Sequence, residues 1–569
     1  MVIDALRNIK RVLNNKVYLE AYSSTRLSMT MRLSYSTVLC VCWPVVLHVA
    51  AQHARPPPIY PFDLASSAVQ SPIHDSTLER QLTRIGDVTW ASLRGMKQTS
   101  PSRELAEMAC DILDDVFPGR VYTARDAQYQ NEVEFNWSKT AWLQSACIIR
   151  PANAVEVAIA MRVIKVSGTR FAIRSGGHNP NAGFASVDGS GILLDLKNLD
   201  MINLGRDDIL RVGSGQTWER VYHFVQEKEK SVIGGRHGSV GVAGLLLGGG
   251  LSFFPSLYGM AIDNVINFEV VLSNSSIVNA NSAENPDLYK VLKGGGANFG
   301  IVTRFDLETH PRINAQYTVN AYDASDYANI LRATARLQEA MEKDNKIGFF
   351  LNVVSGFMVA GLLYAEHSDA PPRAFDEFFK LQSLVAPVVP TTNGTVLDLV
   401  PILDSVGTTD LPVRRALNAV STKVDYKLYL KVHESYNELL GSGHGTGNIS
   451  YTIQAIPSSV VHAGRRHGRN VLGLDSRPQS WWACLIEWFE ESATDIAHKR
   501  VSGLGDTVRS AARETNNLLR FTFMNDAGAS QTVMDNYGPD NRNFLKHTAE
   551  KYDPEGVFQK QQNSGFLLG

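Results

Sequence analysis

The chain has 569 residues, 44% hydrophobic and 20% charged, with a formal net charge of −2. That length and balance fit a globular protein of two or more domains and exclude a disordered or fibrous chain. With no dense basic run, there is no electrostatic basis for a nucleic-acid partner.

The first patterned segment is MTMRLSYSTVLCVCWPVVLHVAAQHA, residues 29–54. Arg32 precedes an apolar run from Thr37 to Ala51 that ends in small residues, the layout of a secretory signal peptide at about 29–51. The run is short for a membrane span, so no stable membrane partner is expected. Two readings cover residues 1–28: translation starts at Met29 or Met31, or the segment is a signal anchor with a cytoplasmic stub. The secretory pathway is the expected location. Sequons at Asn136, Asn274, Asn393 and Asn448 agree with export. Cys40 and Cys42 fall in the signal, which leaves Cys110, Cys147 and Cys484. An oxidising compartment permits one bridge, taken here as Cys110–Cys147, against the alternative of three buried thiols.

The stiff linker RPPPIYP and helical patterns such as SRELAEMACDILDDVF fill 52–140. From 141 the organisation sharpens. ACIIRP reads as a buried strand, and ANAVEVAIAMRVIKVSG as a helix with Val155, Ala158, Ile159 and Val163 on one face and Gly168 past its end. RFAI then runs into the loop RSGGHNPNAG. Strand patterns follow at 191–196 and 209–215, a helix from Trp218 to about Lys228, and a second glycine concentration at 234–253. A hairpin, a short helix and a third glycine loop, GGGANFGIVTRFDL, complete a unit ending near 312. Beyond it, long alternating runs at 346–366 and 481–490 predict a sheet-based domain to 510, and a last segment covers 511–569.

Glycine turns place consecutive N–H groups around concave nests suited to pyrophosphate. Three such loops, each beside strands, call for a ligand with a long polar middle. None is a Walker loop or a GxGxxG motif.

RSGGH, GSVGVAGLLLGGGLSFFPSLYGMAIDN, NPDLYKVLKGGGANFGIVTRFDL and the terminal YDPEGVFQ, in that order over about 105–569, resemble the FAD-linked oxidases of the berberine bridge enzyme type, nearest their fungal branch. The resemblance implies an α+β fold. It comprises a two-subdomain FAD-binding domain of the p-cresol methylhydroxylase type and a substrate domain whose antiparallel sheet is covered by helices. A C-terminal segment returns to the flavin. It also implies FAD as cofactor, with His178 in the position that bonds the flavin 8α-methyl. The remaining cofactor contacts expected from the loops are Arg174, Ser175, Gly176, Gly177, Asn179, Val240, Gly241, Gly244, Gly248, Gly249, Gly250 and Ile301. His237 stands where many members carry a second, cysteinyl link, so a single link is expected. Val240 matches the form that leaves room for O2, which favours an oxidase over a dehydrogenase.

FMND, residues 523–526, resembles the family's Tyr-x-Asn-Tyr block. Asn525 matches its Asn, a partner for the flavin's pyrimidine edge, while Phe523 and Asp526 depart from its tyrosines. Asp526 is a candidate replacement base, since burial raises a carboxylate's pKa; a carboxylate satisfied by backbone N–H groups is the alternative. Glu487, in LIEWF, is a second candidate or else an edge-strand charge facing water. The expectation is a secreted oxidase acting on a small organic molecule with O2 as acceptor. The substrate is an alcohol or a metabolite undergoing oxidative cyclisation. An oligosaccharide oxidase and a flavin-binding protein without redox chemistry are the alternatives. No metal site is expected.

Overall fold

A computed structural model describes residues 102–405, 411–441, 447–465 and 468–569; the signal-like segment and its two cysteines lie outside the described residues. Strands β1 (Val121–Tyr122), β2 (Cys147–Ile149), β3 (Arg170–Arg174) and β4 (Gly191–Asp195) form a sheet in the order β1-β2-β4-β3. β2 and β3 both run parallel to β4. Parallel neighbours need a crossover, and helix Ala154–Ser167 supplies it between β2 and β3. The Asn153 side chain accepts from Glu156 N (3.0 Å), and Gly168 closes the helix at φ 75°. With both ends capped, the helix fixes where β3 stops. The loop starting at Ser175 therefore leaves the carboxyl end of a parallel strand, where ligands of such sheets gather.

Helix Arg103–Val116 belongs to the same core: its Cys110 and Leu113 pack with Cys147, Val157 and Ile192. The boundary expected at 141 therefore falls inside one packed unit. Cys110 and Cys147 are bonded, with Cα atoms 6.0 Å apart, and Cys484 is a buried free thiol. The bridge closes a 37-residue separation, so Cys110→Ala with Cys147→Ala should cost about 2–4 kcal/mol of stability. A lower melting temperature in a thermal scan checks this.

Next come β5 (Ile202–Leu204), β6 (Ile209–Gly213), β7 (Lys230–Ser231), β8 (Val265–Val271), β9 (Ile277–Asn281), β10 (Ile301–Glu308) and β11 (His310–Pro311). Five of them form an antiparallel sheet in the order β5-β6-β10-β8-β9, and β7 pairs with β11. The third sheet holds β12 (Asn314–Asp323), β13 (Ile347–Val354), β14 (Phe357–Tyr364), β15 (Leu384–Thr395), β16 (Arg414–Lys423), β17 (Asn448–Ile456) and β18 (Gln479–Trp488). Its order is β15-β12-β14-β13-β17-β18-β16, with every pair antiparallel. Helices Tyr327–Met341, Tyr426–Gly441 and Thr494–Glu514 cover one face.

Strand alternation explains what β18 does. Trp482, Cys484, Ile486 and Trp488 enter the helix-covered core, while Trp481 joins the core shared with the second unit and the C-terminal segment. The aromatic run is core, and the small or aliphatic residues between, Ala483 and Leu485, face the cavity described below. The C-terminal segment does return: Phe171 N donates to Gln561 O (3.0 Å) and Asn563 N donates to Phe171 O (2.7 Å), extending the edge of β3. The sequon at Asn136 is not usable in this fold. Its side chain is 3% exposed and its Nδ2 donates to Ala141 O at 2.9 Å, whereas Asn274, Asn393 and Asn448 are exposed. Among the described residues no helix is long and apolar enough to cross a membrane.

Candidate active site

The three units and the C-terminal segment meet around one cavity of about 430 Å³. Its first wall is the loop after β3. Ser175, Gly176, Gly177, His178 and Asn179 all line it. The second wall is the loop and short helix at 236–248, contributing Val240, Gly241, Gly244 and Gly248, and β10 adds Ile301. The two glycine loops cross backbone to backbone. A Cβ on Gly176 would lie 2.3 Å from Gly241 N, and one on Gly241 would lie 2.3 Å from Gly176 N. That crossing, rather than backbone freedom, requires both glycines. Gly176→Ala should separate the loops, lowering stability by about 1–3 kcal/mol and cutting flavin content; the ratio of flavin to protein absorbance reads the second effect.

His178 is stacked on Trp137, with centroids 4.4 Å apart and planes 12° from parallel. His237 lies 6.3 Å from it, its Nδ1 3.1 Å from Asp404 Oδ1. Burial, with the nearby His237 and Arg415, pushes the His178 imidazole down to about 3, so the ring is neutral and keeps a free nitrogen lone pair. At the substrate-sheet end stand Arg236, Gln454 and Asp526. Gln454 Nε2 donates to Asp526 Oδ2 (2.6 Å), and Arg236 Nη2 donates to Gln454 Oε1. An arginine can only donate, so the amide has one consistent orientation and Asp526 is addressed as an acceptor. Burial raises the Asp526 carboxyl, against the opposing pull of Arg236, the Gln454 bond and His237.

A family model for an FAD binding domain matches residues 145–281. An FAD-dependent monooxygenase of Arthrobotrys oligospora is 34% identical over 81% of this chain and 89% of its own. The bifunctional solanapyrone synthase of Alternaria solani is 31% identical over 81% of this chain and 89% of its own. The chain belongs to the fungal FAD-linked, berberine bridge enzyme-like oxidoreductases. Glucooligosaccharide oxidase from Acremonium strictum, whose FAD is described as 6-S-cysteinyl, 8α-N1-histidyl, shares the fold. Its TM-score is 0.68 at 17% identity, covering 81% of this chain and 99% of that one.

The cavity of this oxidoreductase suits FAD. Gly244 lines it with nothing within 4 Å of the place its Cβ would take, so the wall is bare where a large planar group can lie. Gln562, also lining, has its Oε1 buried without a partner, an acceptor waiting for a donor. Four expected contacts are corrected. Arg174 lies off the cavity, fully buried, donating to Asp195 Oδ2 (2.8 Å) and Glu132 O (2.6 Å); it ties β3 to β4. Gly249 and Gly250 lie behind the wall, where φ of +113° and +72° turns the chain out of the helix. Asn525 lines the cavity, but its amide is committed to the protein. Nδ2 donates to Gly244 O (3.1 Å) and Leu245 O (3.3 Å), and Oδ1 accepts from Gly250 N (3.1 Å). It shapes the wall.

Of the two candidate bases, only Asp526 reaches the cavity. Glu487 is a buried partner of Arg415, whose Nε donates to its Oε1 at 2.9 Å, and it neither lines the cavity nor faces water. Trp137, Arg236, Gln454 and Gln562 were not singled out from the sequence. Arg236 sits inside the glycine motif, and Trp137 was hidden by its place in a sequon. Gln454 and Gln562 have no signature of their own.

Proposed function

We propose that the protein is a secreted oxidase that holds FAD through a single covalent bond at His178 and uses Asp526 to take the substrate's proton. When bound, FAD accepts a hydride from the substrate and passes the electron pair to O2, giving H2O2. The observation that carries the reading is one cavity with a neutral imidazole on the glycine-loop wall and a buried carboxylate on the substrate-sheet wall. Among the described residues no cysteine lines it, so a second, cysteinyl link has no donor there.

The substrate enters against the face of the third sheet. Ser450, Thr452 and Gln454 form a polar stripe along β17, flanked by Ala483 and Leu485 on β18 and by Phe350 on β13. Such a wall suits a molecule with an apolar body and oxygen functions along one edge. Asp526 receives the hydroxyl proton because Gln454 holds its carboxylate as an acceptor. An alcohol, or a medium-sized metabolite that cyclises on oxidation, is the substrate class proposed. The relative named a bifunctional solanapyrone synthase supports a metabolite as substrate.

Anaerobic stopped-flow mixing with panels of alcohols, sugars and polyketides tests this. Bleaching of the flavin by an alcohol or polyketide, with reoxidation in air and one H2O2 per turnover, is expected. No bleaching by any of the three panels contradicts it, and bleaching by oligosaccharides alone moves the substrate class. The relatives' names favour a second reading, oxygen insertion. Labelled O2 appearing in the product would establish that instead.

A further inference from the structure

We propose that Trp137 and Arg415 form a clamp that presents the His178 imidazole for covalent attachment of the flavin. The inference rests on His178 being the anchor and assigns work to residues outside the glycine loops. The His178 ring is nearly parallel to Trp137 at 4.4 Å, and the Arg415 guanidinium carbon lies 4.2 Å from the same indole centroid. Imidazole and guanidinium therefore both pack on the same indole. The indole thus contacts a cation and an imidazole at once, which favours a fixed ring over a rotating one.

Each member of the stack is pinned from behind. Arg415 is 1% exposed; its Nε donates to Glu487 Oε1 (2.9 Å), its Nη1 donates to Trp137 O, and its backbone N donates to Ser138 Oγ (2.8 Å). Trp137 N donates to Gly177 O (3.0 Å), and Lys139 N donates to Val413 O (3.0 Å). The segment 137–139 therefore ties the histidine's loop to the start of β16. His178 takes its fixed orientation only when the substrate sheet has docked on the first unit, which makes attachment a late step.

The step forms a bond between an imidazole nitrogen and the flavin 8α carbon. The attacking nitrogen is the one that bears the lone pair; one proton leaves the other ring nitrogen and one leaves the methyl group. The two electrons stay on the flavin and pass to O2, yielding H2O2. The nucleophile must be the neutral imidazole. The charged and titratable groups around it are His237 with its partner Asp404, Arg236 and Asp526 in the cavity walls, and the Arg415–Glu487 pair against Trp137. Trp137 supplies the desolvated face, and burial is the largest cause of the lowered His178 value. Removing the indole lets water in and returns the imidazole toward its ordinary 6.5.

The test uses the full chain, produced under flavin limitation and mixed with FAD. Flavin that precipitates with the protein in acid is followed over time between about pH 5 and about pH 8. The natural protein should label at a rate nearly independent of pH. Trp137→Ala should label about tenfold more slowly and acquire an acid limb near neutrality, because positioning and desolvation are lost together. Trp137→Phe, which still offers a flat face, should recover most of the rate and the flat profile. Arg415→Met combined with Glu487→Gln, which removes both charges of the pair together, should slow labelling several-fold. Should Trp137→Ala not accumulate as folded protein, Trp137→Met is read the same way. Folded variants that label at the natural rate with a flat profile overturn the clamp. A natural protein that never acquires acid-stable flavin overturns the anchor itself, a separate failure.

Discussion

His178→Ala is expected to move all of the flavin colour from the acid-precipitated pellet into the supernatant. The glycine loops, the bare wall at Gly244 and the polar edge at Gln562 remain in that variant, so FAD should still bind, now reversibly. A link that cannot dissociate is replaced by an equilibrium, and flavin should be lost on dialysis or gel filtration. The stack contributes packing on one side of a cavity and no buried ion pair, so folding should survive. Absorbance of pellet and supernatant separates the outcomes. Flavin retained in the pellet of His178→Ala would place the bond elsewhere.

Asp526→Asn carries the second large effect. The amide keeps the shape and can still meet Gln454, but it cannot take a proton. With a substrate that bleaches the natural enzyme, flavin reduction should fall by about 10²- to 10⁴-fold. The pH dependence has a definite sign. A base works only when deprotonated, and the Asp526 carboxyl is raised above its ordinary 3.8. Reduction by the natural enzyme should therefore slow as pH falls through that raised value, and the variant should lack this limb. Stability moves the other way. A carboxyl whose folded value exceeds its unfolded one contributes stability below the unfolded value and loses it as pH rises through the folded one. At neutral pH the ionised group is a net cost, so Asp526→Asn should melt no lower than the natural protein. Slow reduction in a protein that melts as before locates the loss in chemistry.

The sequence carried the fold-setting elements because their signals are local. Helix Ala154–Ser167 announced itself by its apolar face and the glycine past its end, and β3 by running directly into RSGGH. The glycine loops were legible for the same reason, as dense local clusters of glycine, although the crossing of Gly176 and Gly241 that requires them is a long-range contact. What stayed hidden was the outcome of long-range pairing. Glu487 reads as a base in an apolar strand until β16 brings Arg415 beside it. Arg174 reads as part of the loop until Asp195 on the neighbouring parallel strand claims it. Asn525 matched a family position, yet its amide is consumed by carbonyls far back in the chain. Trp137 was invisible because its partner lies on a strand far along the chain. Spacing cannot report such a contact.

Peptide mapping of the native protein by mass spectrometry tests the central claim most directly. The peptide containing His178 should carry one flavin, and the peptide containing His237 should be bare. An unmodified His178 peptide, with all flavin recovered free or attached at another residue, would contradict the account.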